Sequence, residues 1–306
     1  MNLRTSTIAT LSAAALLPAA AFAATIDGTD ASERLRGTAA ADTINGNGGN
    51  DKIVGLAGAD ILDGGFGNDR IWGGPDDDTI LGARGHDRLF GGPGNDTITG
   101  DAGDGAGRSF DRIGGGAGDD ILNGGDSRDR INGGSGNDRS SGGSGNDWMS
   151  GGFGDDVQSG GDGNDVIFAN RGVDISIGGP GNDRLWAMAR ADVSGPGDVI
   201  ADTLDGGPGN DRFRTRDGEA DKITCGDGYD RAYLDTVDVI TDATAANPNG
   251  SCEWVVRADP RPGEDRSEAA ADRAARAEER AQERQAKKAE REAKRAARKA
   301  ARQARR

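Results

Sequence analysis

The chain has little of what an ordinary globular core is made from. Aromatic residues are 4% of its 306 residues, while charged residues are 29%. Such a charged, core-poor composition is that of a disordered chain. The 53 glycines deepen the deficit, because each loses much backbone freedom on ordering. A fold therefore needs a stabilising term that composition does not report. Histidine is nearly absent: His86 is the only one. That removes two-histidine zinc-protease chemistry and leaves no plausible Ser-His-Asp triad. Cysteine is scarce too, with only Cys225 and Cys252, and no histidine beside either argues against zinc. In an exported chain the pair is expected to form a disulfide, with free thiols the alternative. Closing that loop would stabilise by about 3–4 kcal/mol. No D-x-D-x-D-G loop with a closing Glu occurs, which disfavours an EF-hand.

The two ends differ from the middle. Arg4 precedes an apolar stretch from Ile8 to Leu17, then Pro18 and Ala21-Phe22-Ala23. Residues 1–23 read as a secretory signal peptide rather than a membrane anchor, since the stretch is short and rich in Ala. A secreted, extracellular or cell-envelope location is expected, and no later segment is apolar enough to cross a bilayer. Residues 259–266 form a Pro-containing linker. Residues 267–306 are expected as a basic Ala-rich helical or disordered tail, with Asp265 as N-cap and favourable i,i+4 pairs such as Glu283 with Lys287. The tail carries +7 against a whole-chain charge of −15, leaving −22 on the rest. An acidic body suits cations, and the tail suits an anionic envelope polymer, lipid headgroups or nucleic acid; a solvated helix without a partner is the alternative.

A nine-residue rhythm dominates the middle. Acids fall nine apart from Glu33 through Asp42 and Asp51 to Asp96, and again from Asp111 to Asp192. Looser spacing then gives Asp202, Asp211, Asp221 and Asp230. With this acid numbered sixth, the best copies read Gly-Gly-x-Gly-x-Asp, as in Gly64 to Asp69 and Gly142 to Asp147. An apolar residue follows two places later in most units, among them Ile44, Ile53, Leu62 and Ile71. Each unit is therefore a turn and a very short strand with one inward residue. Eighteen residues make a coil with two strands, and coils stack as parallel strands about 4.8 Å apart into a rod on the order of 50 Å long. One edge collects Asp51, Asp69, Asp87, Asp129, Asp147, Asp165 and Asp183. The other collects Asp60, Asp78, Asp96, Asp120, Asp138 and Asp156. Asp211 and Asp230, in the looser later units, are candidate ligands as well. Stacked carboxylates repel. A Ca²⁺ between turns would reverse that, taking carboxylate and carbonyl oxygens and turning binding free energy into folding free energy.

These repeats resemble the RTX (repeats-in-toxin, hemolysin-type) calcium-binding family over roughly residues 28 to 240. The resemblance implies an all-β, right-handed parallel β-roll, a calcium-binding solenoid, with the sixth-position Asp and backbone carbonyls as ligands. Residues 24–45 are then an N-terminal cap with the first degenerate repeats, 46–234 the roll, and 235–258 a disulfide-stapled C-terminal cap. About ten Ca²⁺ are expected, because each needs competent turns from adjacent coils. Many relatives carry a catalytic domain before the repeats; here the repeats follow closely on the expected cleavage site, so no enzyme is expected. The function so implied is calcium binding in a secreted, non-enzymatic structural or surface protein. A carbohydrate- or cell-surface-binding module is the main alternative, and a polysaccharide-active enzyme on the solenoid a further one.

The rhythm also breaks. Six residues are inserted around Gly100 to Phe110, which should interrupt the calcium stack between Asp87 and Asp129. The inward position holds Ser140, Gln158, Ser176 and Ser194, with Val157, Ile175 and Val193 one residue before the last three. A one-residue slip of that sheet would turn the apolar neighbours inward; a narrow roll that accepts Ser is the alternative. Turns 169–174 and 187–192 lack most glycines and are expected to hold no strong site. Turns 28–33 and 37–42 look like a cap that need not bind metal.

Overall fold

The computed structural model of the chain describes residues 22–101, 109–187, 201–215, 217–244 and 246–258. The signal peptide up to residue 21, the linker and the basic tail lie outside the described residues. Within them the chain winds through twenty-four short strands that alternate between two parallel sheets of twelve. The first sheet runs from Thr25–Asp27 to Val239–Ile240, and the second from Arg34–Arg36 to Trp254–Arg257. This is the all-β parallel roll that the nine-residue rhythm predicts.

A three-residue strand can send one side chain inward and two outward. The inward residues stack in register: Ile44 on Leu62 and Leu62 on Ile80 in one sheet, Ile53 on Ile71 and Ile71 on Leu89 in the other. All are essentially sealed from water. Two facing columns of Ile and Leu are thus the whole core of the first part of the rod. One apolar residue per nine is enough to line so thin a core, because two narrow sheets face each other directly.

The insertion does not break the stack. Arg88–Pro93 pairs directly with Arg112–Ala117, and Thr97–Thr99 with Ile121–Asn123. The coils on either side of the insertion therefore remain in contact. A second insertion escaped the count of nines. Thr203–Asp205 pairs with Ile175–Ile177, and Arg212–Thr215 with Arg184–Trp186. Asp192, counted as a repeat acid, therefore lies outside the ladder and outside the described residues, as do Val193 and Ser194.

The slipped register is also corrected. Ser140, Gln158 and Ser176 stack on one another in unshifted register and point inward, all three buried. Ile175, which a slip would bury, is 43% exposed. The reason lies at the turns. The N–H of Asp138 donates to Asp156 Oδ1 at 2.8 Å, and that of Asp156 to Asp174 Oδ1 at 2.8 Å. A slip would break those bonds and reverse which side chains enter the core. Gln158 is satisfied inside: with its nitrogen toward Phe168 O (3.0 Å) and its oxygen toward Gly151 N (2.8 Å), both ends of the amide are paired. The polar column divides the core into two clusters, the second running from Leu185 to Cys252.

At the far end a disulfide joins Cys225 to Cys252, with Cα atoms 5.3 Å apart. It ties the turn before Arg231–Leu234 to the approach of Trp254–Arg257, so the segment read as a cap supplies the last strand of each sheet.

The register makes a direct prediction. In calcium, Ile167→Ala should cost about 2–4 kcal/mol as a sealed core truncation. Ile175→Ala, on the outer face, should cost less than about 0.5 kcal/mol. Denaturant midpoints measure both, and equal costs would restore the slipped register.

Candidate metal centres

Each repeat acid begins just before a strand, so the ladder of coils carries it to the same place on each turn. The side chain folds inward against its own turn. One oxygen is committed: Asp51 N donates to Asp69 Oδ1 at 2.6 Å, Asp69 N to Asp87 Oδ1 at 2.7 Å, and Asp129 N to Asp147 Oδ1 at 2.7 Å. The chain of such bonds crosses the insertion, from Asp87 N to Asp111 Oδ1 and from Asp111 N to Asp129 Oδ1, both 2.8 Å. The ladder of acids therefore continues across the insertion. The other oxygen, Oδ2, is buried without a hydrogen-bond partner in Asp69, Asp87, Asp147 and their equivalents along the rod.

The turn explains why protein donors stay away from Oδ2. Its second and fourth residues have positive φ, for instance Gly65 (88°) with Gly67 (135°) and Gly143 (101°) with Gly145 (144°). At the fourth place a side chain is crowded in most turns: a Cβ on Gly67 would run into the carbonyl oxygen of Gly49 one coil back, and only Asp76 and Ser127 among the sixteen turns stand there without glycine. The first glycine is excluded for another reason, since a Cβ on Gly64 would meet Asp69 Oδ2 and the Gly82 carbonyl oxygen. The carboxylate thus occupies the space of the missing side chain. The second residue's N–H is turned to the next coil instead, as Gly74 N donates to Gly91 O at 3.0 Å.

Among the described residues sixteen turns have this paired positive φ, and in all of them the sixth Asp has an unpartnered buried Oδ2. They include each predicted site acid: Asp51, Asp60, Asp69, Asp78, Asp87 and Asp96, then Asp120, Asp129, Asp138, Asp147, Asp156 and Asp165, then Asp183, Asp211 and Asp230. The sixteenth is Asp174, whose glycine-poor turn was expected to be weak; Asn170 takes the left-handed place at φ 78° and Gly172 the other at 128°. Asn tolerates that region. Asp111 shares the ladder and the orphaned oxygen, though most of its turn lies outside the described residues.

A family model for the RTX calcium-binding nonapeptide repeat matches residues 27–62, 54–89, 81–104, 106–140, 141–175, 150–185 and 197–232. The matches cover more than half of the chain. The chain belongs to this family. A search of curated proteins finds no match. Calcium is the ion of the RTX repeat, and the donor set fits it: uncommitted carboxylate oxygens beside turn carbonyls, all hard oxygen ligands.

Electrostatics agree. Burial is the largest influence on each ladder acid and raises it, to about 8 for Asp87 and Asp129 and about 7 for Asp138 and Asp147. The backbone N–H on Oδ1 pulls down, and neighbouring ladder carboxylates push up again. The RTX cap turns provide the contrast. Asp42 is also buried, but Thr38 N donates to its Oδ2 and Ala24 N to its Oδ1, both at 2.5 Å. Burial pushes it up, the two N–H groups outweigh burial, and the net direction is down. Glu33 likewise takes Thr29 N, at 2.6 Å. In the cap a backbone N–H stands where the glycine turns leave an oxygen open.

Two features escaped the sequence reading. The fifth position is a second ladder: Asn68 N donates to Asn50 Oδ1 and His86 N to Asn68 Oδ1, at 2.7 and 2.8 Å. The Asn and Asp residues there hold coils together, and His86 ends one run of acceptors. Near the disulfide, Asp202, Glu219 and Asp221 each bring one carboxylate oxygen within 4.8 Å of the others, all buried. Asp202 and Asp221 are ladder acids; only Glu219, at a fourth position that is usually Gly, could have been noticed in advance.

The raised acids give a pH prediction. Protonation suits the folded state of a group whose value is raised above the ordinary 3.8. Its contribution is full below that ordinary value and is lost as pH rises through the folded values near 6 to 8. Metal-free chain should therefore show more β-structure by circular dichroism at pH 4 than at pH 8. Calcium should abolish the loss at pH 8. Greater metal-free order at pH 8 would contradict the buried-carboxylate account. A second contrast separates ladder from cap: Asp147→Asn should weaken calcium binding, whereas Asp42→Asn should leave calcium stoichiometry unchanged in titration calorimetry.

Proposed function

We propose that this protein is an exported, non-catalytic rod that folds when calcium fills its two acidic edges. The carrying observation is the repeated Oδ2: a buried carboxylate oxygen without a protein donor, coil after coil. One such oxygen is a defect costing about 1–3 kcal/mol or more. Sixteen in register are a fold written for a cation. Each ion is held between neighbouring turns of one edge, by the sixth-position carboxylates and the turn carbonyls. Thirteen neighbouring pairs of such turns exist among the described residues, seven on the edge of Asp51 and six on that of Asp60. That number bounds the ions these turns can hold. Export is supported by the leader-like residues 1–23 and the cysteine pair. A non-catalytic role is supported by the ladder itself, which commits the regularly stacked buried acids to the turns.

Calcium titration of the mature chain, followed by far-UV circular dichroism, tests the folding claim. A cooperative rise of β-structure at millimolar or lower calcium is expected, as for extracellular modules; full β-structure in chelator would overturn it. Export predicts that protein recovered from the medium begins at Ala24. Turnover of any anionic polysaccharide in a substrate panel would refute the non-catalytic part.

A further inference from the structure

The two outer faces of the roll are built from the same repeat positions but from different residues. In the second sheet nine of the twelve strands begin with Arg or Lys. In the first sheet only two do, Arg139 and Lys222, and Thr or Ile is common instead. The repeat therefore does not require the cation; one face of the rod has collected it.

The cations stand directly beside one another. Arg70 pairs with Arg88, Arg88 with Arg112, and Arg112 with Arg130 on successive strands. All four are exposed, and no ion pair to them is present among the described residues. Like charges opposite one another destabilise a sheet, so this column works against the fold that carries it. On a chain of net charge −15, such sorting points to a ligand.

Beside the cationic column, two residues along each strand, runs a column with aromatic rings. Trp72 stacks near Phe90 with centroids 6.1 Å apart, and Phe168 meets Trp186 at 4.2 Å. Cations lie over the rings as well: Lys52 over Trp72 at 5.1 Å and Arg130 over Trp148 at 4.3 Å. The face thus carries a run of six successive cations, from Arg34 to Arg130, with Trp72 and Phe90 beside it and the rings of Trp148, Phe168 and Trp186 beyond its end.

We propose that the outer face of the second sheet is a docking site for a linear anionic polysaccharide lying along the rod. Charge complementarity selects a polyanion. The spacing selects its kind: cations recur at one strand spacing, about 4.8 Å, in a straight line. An extended chain with one carboxylate per sugar can match that repeat, offering acids to the Arg column and its C–H faces to the rings. Duplex DNA carries a charge about every 1.7 Å on a winding backbone, and a straight column can follow it only briefly. This site is separate from the basic tail and from the calcium edges, although it exists only in the folded roll.

The test uses the full mature chain in saturating calcium, with the tail present throughout and circular dichroism confirming the roll. The probes are a short oligogalacturonate, its methyl-esterified form and single-stranded oligo(dT). Oligogalacturonate binding should weaken by about tenfold or more in a variant with Arg70, Arg88, Arg112 and Arg130 changed to Gln. It should weaken by about threefold or more in Phe168→Ser with Trp186→Ser, and the methyl ester should not bind. Unchanged affinity in the Arg variant assigns binding to the tail and overturns the proposal. Tighter oligo(dT) binding with the same Arg dependence overturns it in favour of a nucleic-acid face. If the fourfold variant loses its β-signal, Arg112→Gln with Arg130→Gln carries the same comparison. Loss of the roll in every variant would show the cations to be structural and also refute the proposal. A wild-type chain that gains no β-structure in calcium would instead fail the folding claim.

Discussion

Everything in this structure hangs on a carboxylate divided between two tasks. One oxygen of each repeat acid accepts the backbone N–H of the acid one coil earlier, which sets the register of both sheets. The other is carried into the same dry space with no protein donor to meet it. The first task makes a precise solenoid from three-residue strands. The second makes that solenoid unfavourable at neutral pH unless protons or a cation arrive. The glycines serve this division. Where the turn carries the left-handed pair, the neighbouring N–H is sent to the next coil and Oδ2 stays open; where it carries Thr38 in the cap, the N–H closes on Asp42.

Much of this could be read from the sequence because the repeat is itself a geometric statement. A nine-residue period with one acid and one apolar residue already implies two sheets, two edges and a thin core. What could not be read was set by interactions whose partners are eighteen or more residues away. Ser140, Gln158 and Ser176 looked like a slip because side-chain polarity was weighed without the hydrogen bonds that hold the turns in place. Asp174 looked weak because glycine was counted rather than left-handed backbone, which Asn170 supplies. Asp192 was counted by spacing alone, though on its edge Asp174 N reaches Asp202 Oδ1 instead. The insertion was expected to interrupt the calcium stack of one edge, and the hydrogen bonds through Asp111, which carry the ladder across it, could not be read from spacing.

The same logic explains how a chain so poor in apolar residues acquires a core. Each coil contributes little hydrophobic area, so the sealed Ile and Leu columns cannot offset the entropy of ordering so many glycines on their own. The metal term enters at the turns, where the glycines are, and ordering is thereby tied to binding. Stability should then be distributed coil by coil, as in other solenoids. The polar column and the second insertion mark the weakest junction, between the two core clusters. The disulfide lies beyond that junction, in the half with fewer regular turns. A covalent link there constrains the part of the rod that the calcium ladder supports least.

Once the acids are committed to the edges, the outer faces are free to vary, and they have varied differently. One sheet presents mostly Thr and other neutral residues, the ordinary choice for a strand surface. The other presents like charges at paired positions of successive strands, which no need of the roll explains. A solenoid converts a residue repeated in sequence into a line in space with a fixed pitch. A line of cations at one strand spacing is difficult to use against a compact ligand and easy to use against an extended one. Calcium filling the edges would also remove the negative field that otherwise competes for those cations. The ion that folds the rod would thereby uncover the charge of its basic face.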